Sequence, residues 1–403
     1  MTIFDITEFA KTHSLPFYLF DEQLFEDNMH RLVDTFQSVY PRYHVAYSFK
    51  TNYTPYICRL VKENGGYAEV VSDMEYTLAK RLGYENNKII YNGPFKGALL
   101  EEHLLFGGIV NVDNYNECER ICALASSHPE QEFKIGLRLN LDLGAGFISR
   151  FGMVEDSEDM LRSVELIKMH KNLHVVGMHC HIKAPRDPEA WNRRSEIMIA
   201  AADKYVEGIP EYISLGSGMV PGEYSQYAEE YDEFKPTYKE FAEAMFAPFI
   251  EHYPKDKCPV VYTEPGRALI TRYIRFYAKV DNFKEVRGRK LATTNGSFYN
   301  LGEIYSQARI PIVVNHLSEG NHYDKIDIMG YTCLEQDVMF PSYEGNLAVG
   351  DIIEFRNVGG YSIVYKPQFI YPQCPMYTLH SDGTTDIIMR QETADDVFAK
   401  FVD

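Results

Sequence analysis

The sequence lacks the features that would place the protein in a membrane or outside the cell. Its 403 residues contain no run of the roughly 20 apolar residues that a membrane-spanning helix needs. The N-terminus, Met1 to Asp5, has neither the basic nor the apolar region of a signal peptide, so secretion is not expected. The seven cysteines include no Cys-x-x-Cys pair, which favours free thiols in a reducing compartment. We therefore expect a cytoplasmic protein without a membrane partner.

Signatures of several other protein classes are missing as well. The sequence contains no Gly-x-x-x-x-Gly-Lys-Ser/Thr, no Gly-x-Ser-x-Gly and no zinc-spaced cysteine set. The net charge of −18 argues against nucleic acid, because the phosphate backbone would be repelled. The same charge suits small cationic or zwitterionic substrates, although an acidic surface that serves solubility explains it equally well. A small-molecule substrate is the expectation that remains.

From residue 43 to residue 267, short apolar runs alternate with helical stretches. The strand candidates are 43–49, 67–71, 88–91, 108–112, 133–139, 173–180, 212–215 and 259–263. The helical segments between them are 54–64, 73–83, 97–106, 114–127, 156–171, 188–207 and 234–253. Such alternation predicts an α/β fold with a (β/α)8 TIM barrel. A doubly wound sheet is the alternative, but it would not explain why candidate catalytic and binding residues follow so many different strands.

Beyond about residue 270 the pattern changes to β-type runs, and helical periodicity returns only near 393–402. This texture predicts a separate all-β domain. The runs lie at 274–281, 289–293, 310–314, 325–329, 351–356 and 385–389. Residues 15–21 indicate a strand ahead of the first helix, 22–38, and could pair with the β domain. We therefore predict a barrel over 22–270 and a β domain formed by 1–21 and 271–403.

Lys50 ends the segment Ala46–Lys50, which reads Ala-Tyr-Ser-Phe-Lys, at the predicted carboxyl end of the first barrel strand. A lysine there would point into the mouth of the barrel. Desolvation would let its amine lose a proton and attack an aldehyde. Taken alone, a surface lysine just past a strand is the more common explanation.

Two glycine-containing turns follow the last two barrel strands. Glu264–Arg267 reads Glu-Pro-Gly-Arg, and its charged groups suit a pyridinium nitrogen and a phosphate, although a buried structural ion pair fits equally well. Leu215–Met219 reads Leu-Gly-Ser-Gly-Met and would let backbone N–H groups approach a phosphate at the usual position in a barrel. By itself, a single Gly-x-Gly is more often a plain loop.

Further candidates are histidines in the barrel and a cysteine in the β domain. His179 and His181 share a face of the sixth strand. A metal site is not predicted, because no third ligand has suitable spacing. Core histidines, or one imidazole stacked on a planar cofactor, remain open. Cys333 and Asp337 follow a glycine turn and offer an acid and a carboxylate, although a buried cysteine is common. Tyr361 follows a Gly-Gly pair and could bring its phenol to a phosphate.

Together and in order, these motifs resemble the fold-type III pyridoxal-phosphate decarboxylases, the diaminopimelate and ornithine decarboxylase group. The resemblance runs from about Pro16 to Tyr361. It implies an alanine-racemase-like (β/α)8 barrel, a C-terminal β domain and pyridoxal 5′-phosphate as the cofactor. It also implies a head-to-tail homodimer in which the β domain contributes to active sites shared between subunits.

The resemblance implies a role for each matching residue. Lys50 would carry the cofactor as a Schiff base, His181 would stack on the pyridine ring, and Glu264 would keep the ring nitrogen protonated. Cys333, lent by the second subunit, would supply the proton after CO2 leaves. The residues implied to bind the cofactor are Lys50, Glu69, Arg138, His181, Gly216, Ser217, Gly218, Glu264, Gly266, Arg267 and Tyr361. Those implied to bind the substrate are Cys333, Leu334 and Asp337.

The implied activity is decarboxylation of an amino acid in polyamine or lysine biosynthesis. Candidate substrates are diaminopimelate, ornithine, carboxynorspermidine and specialised amino acids. Leu334 stands where diaminopimelate-specific members have a glutamate for the distal amino group, which disfavours diaminopimelate. His181–Ala184 reads His-Ile-Lys-Ala where the family has His-Ile-Gly-Ser, so a hydroxyl for the phosphate is missing. A racemase of the same fold and a catalytically silent homologue that binds the cofactor are the alternatives, and Glu264 with Cys333 argues against the racemase.

Overall fold

A computed structural model describes residues 4–144, 146, 148–219, 236–302 and 310–402 of the chain. These residues form two compact units. The barrel unit extends from Met29 to Ala268, and the β unit comprises the residues up to Asn28 and those from Leu269 onward. None of the described helices is long and apolar enough to cross a membrane.

Strands and helices alternate in the first two thirds of the chain, and strands dominate the last third. The strands are β1 Phe17–Asp21, β2 Tyr43–Ser48, β3 Tyr67–Val70, β4 Ile89–Tyr91, β5 Ile109–Val112, β6 Phe133–Asn140, β7 Met153–Val154, β8 Leu173–Cys180, β9 Tyr212–Ser214, β10 Val260–Thr263, β11 Ile274–Val286, β12 Arg289–Thr294, β13 Ile312–Asn315, β14 Asn321–Met329, β15 Val338–Leu347, β16 Ile352–Phe355, β17 Met376–Leu379 and β18 Thr385–Met389. The helices are α1 Ile6–Phe9, α2 Glu22–Val39, α3 Pro55–Glu63, α4 Asp73–Arg81, α5 Leu99–Leu105, α6 Tyr115–Ser127, α7 Glu158–Lys168, α8 Pro188–Tyr205, α9 Tyr238–His252, α10 Arg267–Ile270, α11 Ser362–Tyr365 and α12 Ala394–Phe398.

Eight parallel strands of the barrel unit close on themselves. They follow the order β5-β4-β3-β2-β10-β9-β8-β6, and pairing of β5 with β6 completes the ring. All eight are predicted from the sequence, so the TIM barrel is confirmed. In a closed parallel barrel the carboxyl ends of all strands meet at one face, which is where the candidate residues lie.

Side-chain caps begin five of the barrel helices. Ser72, Asn114, Ser157, Asp187 and Thr237 each accept a hydrogen bond from the backbone N–H three residues later. Each cap satisfies one of the N–H groups that a helix leaves unpaired at its start. The start of each of these five helices is therefore defined by the sequence itself.

The β unit is built around β1, which pairs antiparallel with β11 and parallel with β17. The predicted pairing of the N-terminal strand with the β domain is thereby confirmed. The extended sheet has the order β15-β14-β12-β11-β1-β17-β18, and β16 joins β13 to β11. Its core packs Phe17 and Leu19 against Tyr277 and Ile352.

Two strands of the β unit were not predicted. β15 contains Pro341 and Gly345, and Ser342 has a positive φ of 53°, so the period-2 alternation of a strand is interrupted. β17 has only four residues, and its place beside β1 is fixed by pairing across more than 350 residues. Residues 234 and 235 of the helix predicted at 234–253 lie outside the described residues, and the helix begins at Tyr238.

Candidate active site

Lys50 lies in a short 3-10 turn, Phe49–Thr51, directly after β2. Its ammonium donates to the hydroxyl of Ser48 at 2.6 Å and to the carboxylate of Glu69 at 2.5 Å. About a third of the lysine side chain, 31%, is exposed. The sequence-predicted position at the barrel mouth is confirmed, and the amine can be reached by a small molecule.

Glu69 and Glu264 are joined by one buried amide. The amide nitrogen of Asn92 donates to Glu69 at 3.2 Å and to Glu264 at 2.9 Å. Asn111 donates to the amide oxygen of Asn92 at 2.8 Å and so holds the amide in this orientation. The hydroxyl of Ser214 adds a further bond to Glu264 at 2.8 Å. Hydrogen bonds therefore run without interruption from Lys50 to Glu264 across the barrel.

Two histidines of β8 and the loop after it face Glu264. The Nε2 atom of His179 lies 3.1 Å from the carboxylate, and the Nδ1 atom of His181 lies 3.9 Å away. Burial alone would raise the pKa of Glu264, but charge and hydrogen bonds from both histidines hold it well below its usual value. Burial lowers the pKa of His181, which favours a neutral ring. Among the described residues, no group of three or more His, Cys, Asp or Glu side chains could hold a metal ion.

The Gly-Ser-Gly loop after β9 packs tightly against the segment after β8. Gly216 has φ +66°, and a Cβ there would overlap the carbonyl of Cys180. Gly218 has φ +101°, and a Cβ there would lie 2.9 Å from the carbonyl of Ile182. Both positions need glycine for conformation and for space. Ser217, between them, is half-buried.

Gly266, after β10, is required by a different close approach. A Cβ on Gly266 would overlap the side chain of Thr51, in the turn that carries Lys50. The backbone N–H of Ser48 also donates to the carbonyl of Pro265 at 3.3 Å. The turn after β10 therefore packs against the turn that carries Lys50. The half-buried Arg267 directly follows Gly266.

Arg194, in the middle of α8, supports the Gly-Ser-Gly loop from below. Its Nη1 atom donates to the carbonyls of Leu215 and Ser217 at 2.8 and 2.9 Å, while Nε and Nη2 have no hydrogen-bond partner within the described part of the chain. Its guanidinium lies 3.9 Å from the ring centre of Trp191. A Cβ on Gly218 would lie 3.9 Å from Nη2. Burial lowers the pKa of Arg194 to about 10, so the group stays cationic at neutral pH.

Arg138, on β6, is buried in an ion pair with Asp113 at 2.8 Å. Its guanidinium also lies 4.9 Å from the ring centre of Phe151. The charges of Arg138 and Lys50 both act on His181 and lower its pKa, after the larger effect of burial. The structure thus brings Arg138 into the same electrostatic environment as the other barrel candidates.

The four remaining candidates lie in the β unit. Cys333 is exposed and Leu334 is half-buried. The carboxylate of Asp337 is buried and accepts backbone N–H groups of Phe298 and Thr332 at 2.8 and 3.0 Å, so it organises the loop that carries Cys333. Tyr361 adopts the left-handed conformation with φ +61°.

Sequence reasoning missed several functional side chains of the barrel. Asn92 follows β4 directly and Ser214 ends β9, so a polar residue at a strand's carboxyl end was the available signal. Asn111 lies inside β5 and Arg194 inside a helix, and neither has a motif around it. Their roles depend on which strands and loops become neighbours.

The donor set fits pyridoxal phosphate. A primary amine lies at the open end of the network, and a buried carboxylate of lowered pKa lies at the other. The loop has no room for a Cβ at Gly216 or Gly218, and the guanidinium of Arg194 provides a positive charge beside it. These are the groups that the aldehyde, the ring nitrogen and the phosphate of the cofactor require.

Comparison with known proteins places the chain in a family. The model of the pyridoxal-dependent decarboxylase family, pyridoxal binding domain, matches residues 26–271. This chain belongs to the pyridoxal-dependent decarboxylases. As a member of that family, it is an enzyme that uses pyridoxal phosphate to decarboxylate an amino acid.

Relatives of this decarboxylase include enzymes with different substrates. The diaminopimelate decarboxylase of Methanothermobacter thermautotrophicus is 26% identical over 98% of this chain and 93% of that protein. The L-glutamyl-(BtrI acyl-carrier protein) decarboxylase of Niallia circulans is 24% identical over 98% of this chain and 95% of that protein. A crystal structure of diaminopimelate decarboxylase from Methanocaldococcus jannaschii with L-lysine has a TM-score of 0.85, with 24% identity over 99% of this chain and 94% of that chain. At that identity the structure shows a shared fold.

Proposed function

We propose that the decarboxylase works at the mouth of its barrel with Lys50, His181 and Glu264 as the residues that touch the cofactor ring. The observation that supports this most directly is the hydrogen-bond path from Lys50 through Glu69 and Asn92 to Glu264. It ties the amine that would bind an aldehyde to the carboxylate that would bind a pyridine nitrogen.

Bound pyridoxal phosphate supplies an electron sink for the carbanion that remains when CO2 departs. Glu264, whose pKa is lowered by His179 and His181 against the effect of burial, would hold a proton on the ring nitrogen at its carboxylate oxygen. His181, with a lowered pKa, offers a neutral ring for stacking. Glu69 and Ser48 accept from the Lys50 ammonium and orient its nitrogen.

We assign the phosphate to the loops after β9 and β10. The proposed contacts are Gly216, Ser217, Gly218, Gly266, Arg267 and Tyr361. Arg194 would act beneath the loop as a positioning residue, because it binds the loop's carbonyls. It also adds positive charge near the segment where Lys183-Ala184 replaces the family's Gly-Ser and the serine hydroxyl is missing. Arg138 is the last of the proposed cofactor-binding residues, and its charge contributes to the lowered pKa of His181.

We further propose a homodimer in which the β domain of one subunit completes the active site of the other. Cys333 Sγ would hold the proton that the carbon receives after CO2 loss, and its exposure in a single chain agrees with a role towards a second copy. Leu334, on the same loop, would face the substrate, and Asp337 would contribute to the substrate site through its buried carboxylate, which holds that loop in place. The domain assignment of 22–270 and 1–21 with 271–403, and a cytoplasmic location, are parts of the same proposal.

For the substrate we propose a group of candidate compounds and no single one. The two relatives named above act on different compounds, and Leu334 replaces the glutamate associated with diaminopimelate. We therefore propose diaminopimelate, ornithine, carboxynorspermidine and specialised amino acids as the compounds to compare. The racemase alternative is not favoured, because the matching family is one of decarboxylases.

The test measures CO2 release by the cofactor-loaded enzyme from a panel of L-, D- and meso-amino acids. Borohydride reduction and peptide mapping should place the pyridoxyl group on Lys50. Lys50→Ala should lose nearly all turnover, whereas Lys134→Ala, an exposed lysine paired with Glu211, should retain it. Turnover by Lys50→Ala equal to wild type, or a label on another lysine, would contradict the assignment.

A further inference from the structure

Four residues form one row across four neighbouring strands of the barrel. Asn111 of β5 pairs with Gly136 of β6, which pairs with Gly177 of β8. Gly177 pairs in turn with Tyr212 of β9. Because the two glycines between them have no side chain, the ring of Tyr212 extends along the row, and its hydroxyl donates to the amide oxygen of Asn111 at 2.8 Å.

Both glycines of the row are needed to make room for this phenol. A Cβ on Gly136 would overlap the hydroxyl of Tyr212, and a Cβ on Gly177 would overlap its ring. Tyr212 is only 6% exposed and packs with Ile90 in an apolar cluster of the barrel. A hydroxyl buried among apolar groups is costly unless it finds a hydrogen-bond partner. The row therefore directs the phenol to the amide of Asn111.

The hydrogen bonds that begin at this phenol run in one direction. Burial is the largest of the effects that raise the pKa of Tyr212, so its hydroxyl keeps its proton and donates. It donates to the oxygen of Asn111, whose amide nitrogen then donates to the oxygen of Asn92 at 2.8 Å. The nitrogen of Asn92 is thereby turned towards the carboxylates of Glu69 and Glu264. That orientation is the one they require, because an ionised carboxylate only accepts.

We propose that Tyr212 is a positioning residue for the decarboxylation, and that its hydroxyl orients two successive amides and, through them, the carboxylate at the ring nitrogen of the cofactor. Without the hydroxyl, the amide of Asn111 could turn over and present its oxygen to the next amide. The inference rests on the proposed role of Glu264. Because Ser214 and His179 also bond to Glu264, loss of the hydroxyl should weaken this arrangement and leave part of the activity.

Tyr212→Phe removes the hydroxyl and keeps the ring. Fluorescence titration of the apoenzyme should give a dissociation constant for pyridoxal phosphate about fivefold higher than that of wild type. An analogue of the cofactor with a C–H group in place of the ring nitrogen should bind both proteins equally, because it offers Glu264 no nitrogen. In the holoenzyme, kcat should fall about fivefold while KM for the amino acid stays unchanged.

Tyr262→Phe is the matched control. Tyr262 is buried in the same cluster, its ring centre lies 5.9 Å from that of Tyr212, and its hydroxyl interacts with Tyr67. This variant loses a buried phenol hydroxyl outside the amide path, so it should bind both forms of the cofactor as wild type does and retain kcat.

Asn111→Leu provides a second variant and tests the path itself. It removes the amide through which the phenol would act, so it should also weaken binding of pyridoxal phosphate and leave binding of the analogue unchanged. Adding Tyr212→Phe to Asn111→Leu should reduce kcat no further, because residues that act through one hydrogen-bond path are not additive.

Three outcomes would overturn the inference. These are equal affinity of wild type and Tyr212→Phe for pyridoxal phosphate, equal weakening of cofactor and analogue, and additive losses of kcat in the double variant. Equal weakening would indicate a general loosening of the barrel. The proposed function fails by a different result, which is turnover by Lys50→Ala. If Lys50→Ala is inactive and Tyr212→Phe equals wild type in every measurement, only the role of Tyr212 is contradicted.

Discussion

Glu264 in the barrel and Asp337 in the β unit are both 1% exposed, yet they are held in different ways. Glu264 receives its hydrogen bonds from side chains, those of Asn92, Ser214 and His179, which come from separate strands or the loops after them. Asp337 receives its bonds from backbone N–H groups of its own loop and of the adjacent segment at Phe298.

The difference distinguishes Glu264, the carboxylate that we propose binds the cofactor, from Asp337, a carboxylate that holds a loop. Burial raises the pKa of Glu264, but side-chain donors act in the opposite direction, and His179 and His181 together hold it below its usual value. Backbone donors cannot titrate, so the carboxylate of Asp337 fixes the conformation in which Cys333 is exposed. Gly330 belongs to the same arrangement, since a Cβ there would overlap the Asp337 carboxylate.

Among the variants that test this comparison, Glu264→Gln should have the largest effect on activity. The amide keeps the shape of the side chain but removes the negative charge that would stabilise a protonated ring nitrogen. Turnover should fall by about 10²- to 10³-fold. Steady-state CO2 release measures this, and Glu211→Gln, at an exposed residue just before β9, is the control. Unchanged turnover in Glu264→Gln would remove the proposed distinction between the two carboxylates.

Asp337→Ala should cost stability in its own loop. Two partly buried backbone N–H groups would lose a charged acceptor, a penalty of about 2 kcal/mol. Amide hydrogen exchange should accelerate in the segments 296–300 and 330–338. Glu335→Ala, at an exposed residue of the same loop, should leave exchange unchanged. Full protection in Asp337→Ala would show that this carboxylate does not organise the loop.

Arg194→Met tests whether a buried cation supports the glycine loop. Removing the guanidinium leaves the carbonyls of Leu215 and Ser217 without their donor and takes away the adjacent positive charge. We expect the dissociation constant for pyridoxal phosphate to rise about tenfold, which corresponds to ~1.4 kcal/mol. Fluorescence titration of the apoenzyme measures it. Arg193→Met, on the exposed side of the same helix, should bind the cofactor as wild type does.

Glu75→Gln should change the pH dependence of stability. Burial raises the pKa of Glu75 to about 7, while its side chain accepts from the N–H of Val71. A folded-state pKa above the usual value near 4.5 means that the folded protein retains the proton longer, so stability falls as pH rises from about 4.5 to 7. The loss is at most about 3 kcal/mol.

The variant cannot ionise at this position and should therefore gain stability relative to wild type over the same pH interval. Urea denaturation of both proteins at several pH values measures the difference. Glu63→Gln, at an exposed residue of α3, should show no such separation from wild type. Parallel curves for Glu75→Gln and wild type across that interval would show that Glu75 does not retain its proton in the folded protein.

The barrel could be predicted because each βα unit carries its own local signals. A buried strand, a capping residue and an amphipathic helix are encoded within about thirty residues, and eight repetitions limit the topology to few choices. The β unit was predicted less completely. β15 is interrupted by Pro341 and Gly345, and β17 depends on pairing with β1 from the other end of the sequence.

The sequence by itself determined the barrel and the position of Lys50 at a strand's carboxyl end, because hydrophobic period and strand direction are local properties. Only the tertiary structure decided that Asn92 bridges Glu69 and Glu264 and that Arg194 lies under the Gly-Ser-Gly loop. Hydrogen bonding and burial at these positions join residues far apart in the chain, and no local pattern specifies which side chains become neighbours.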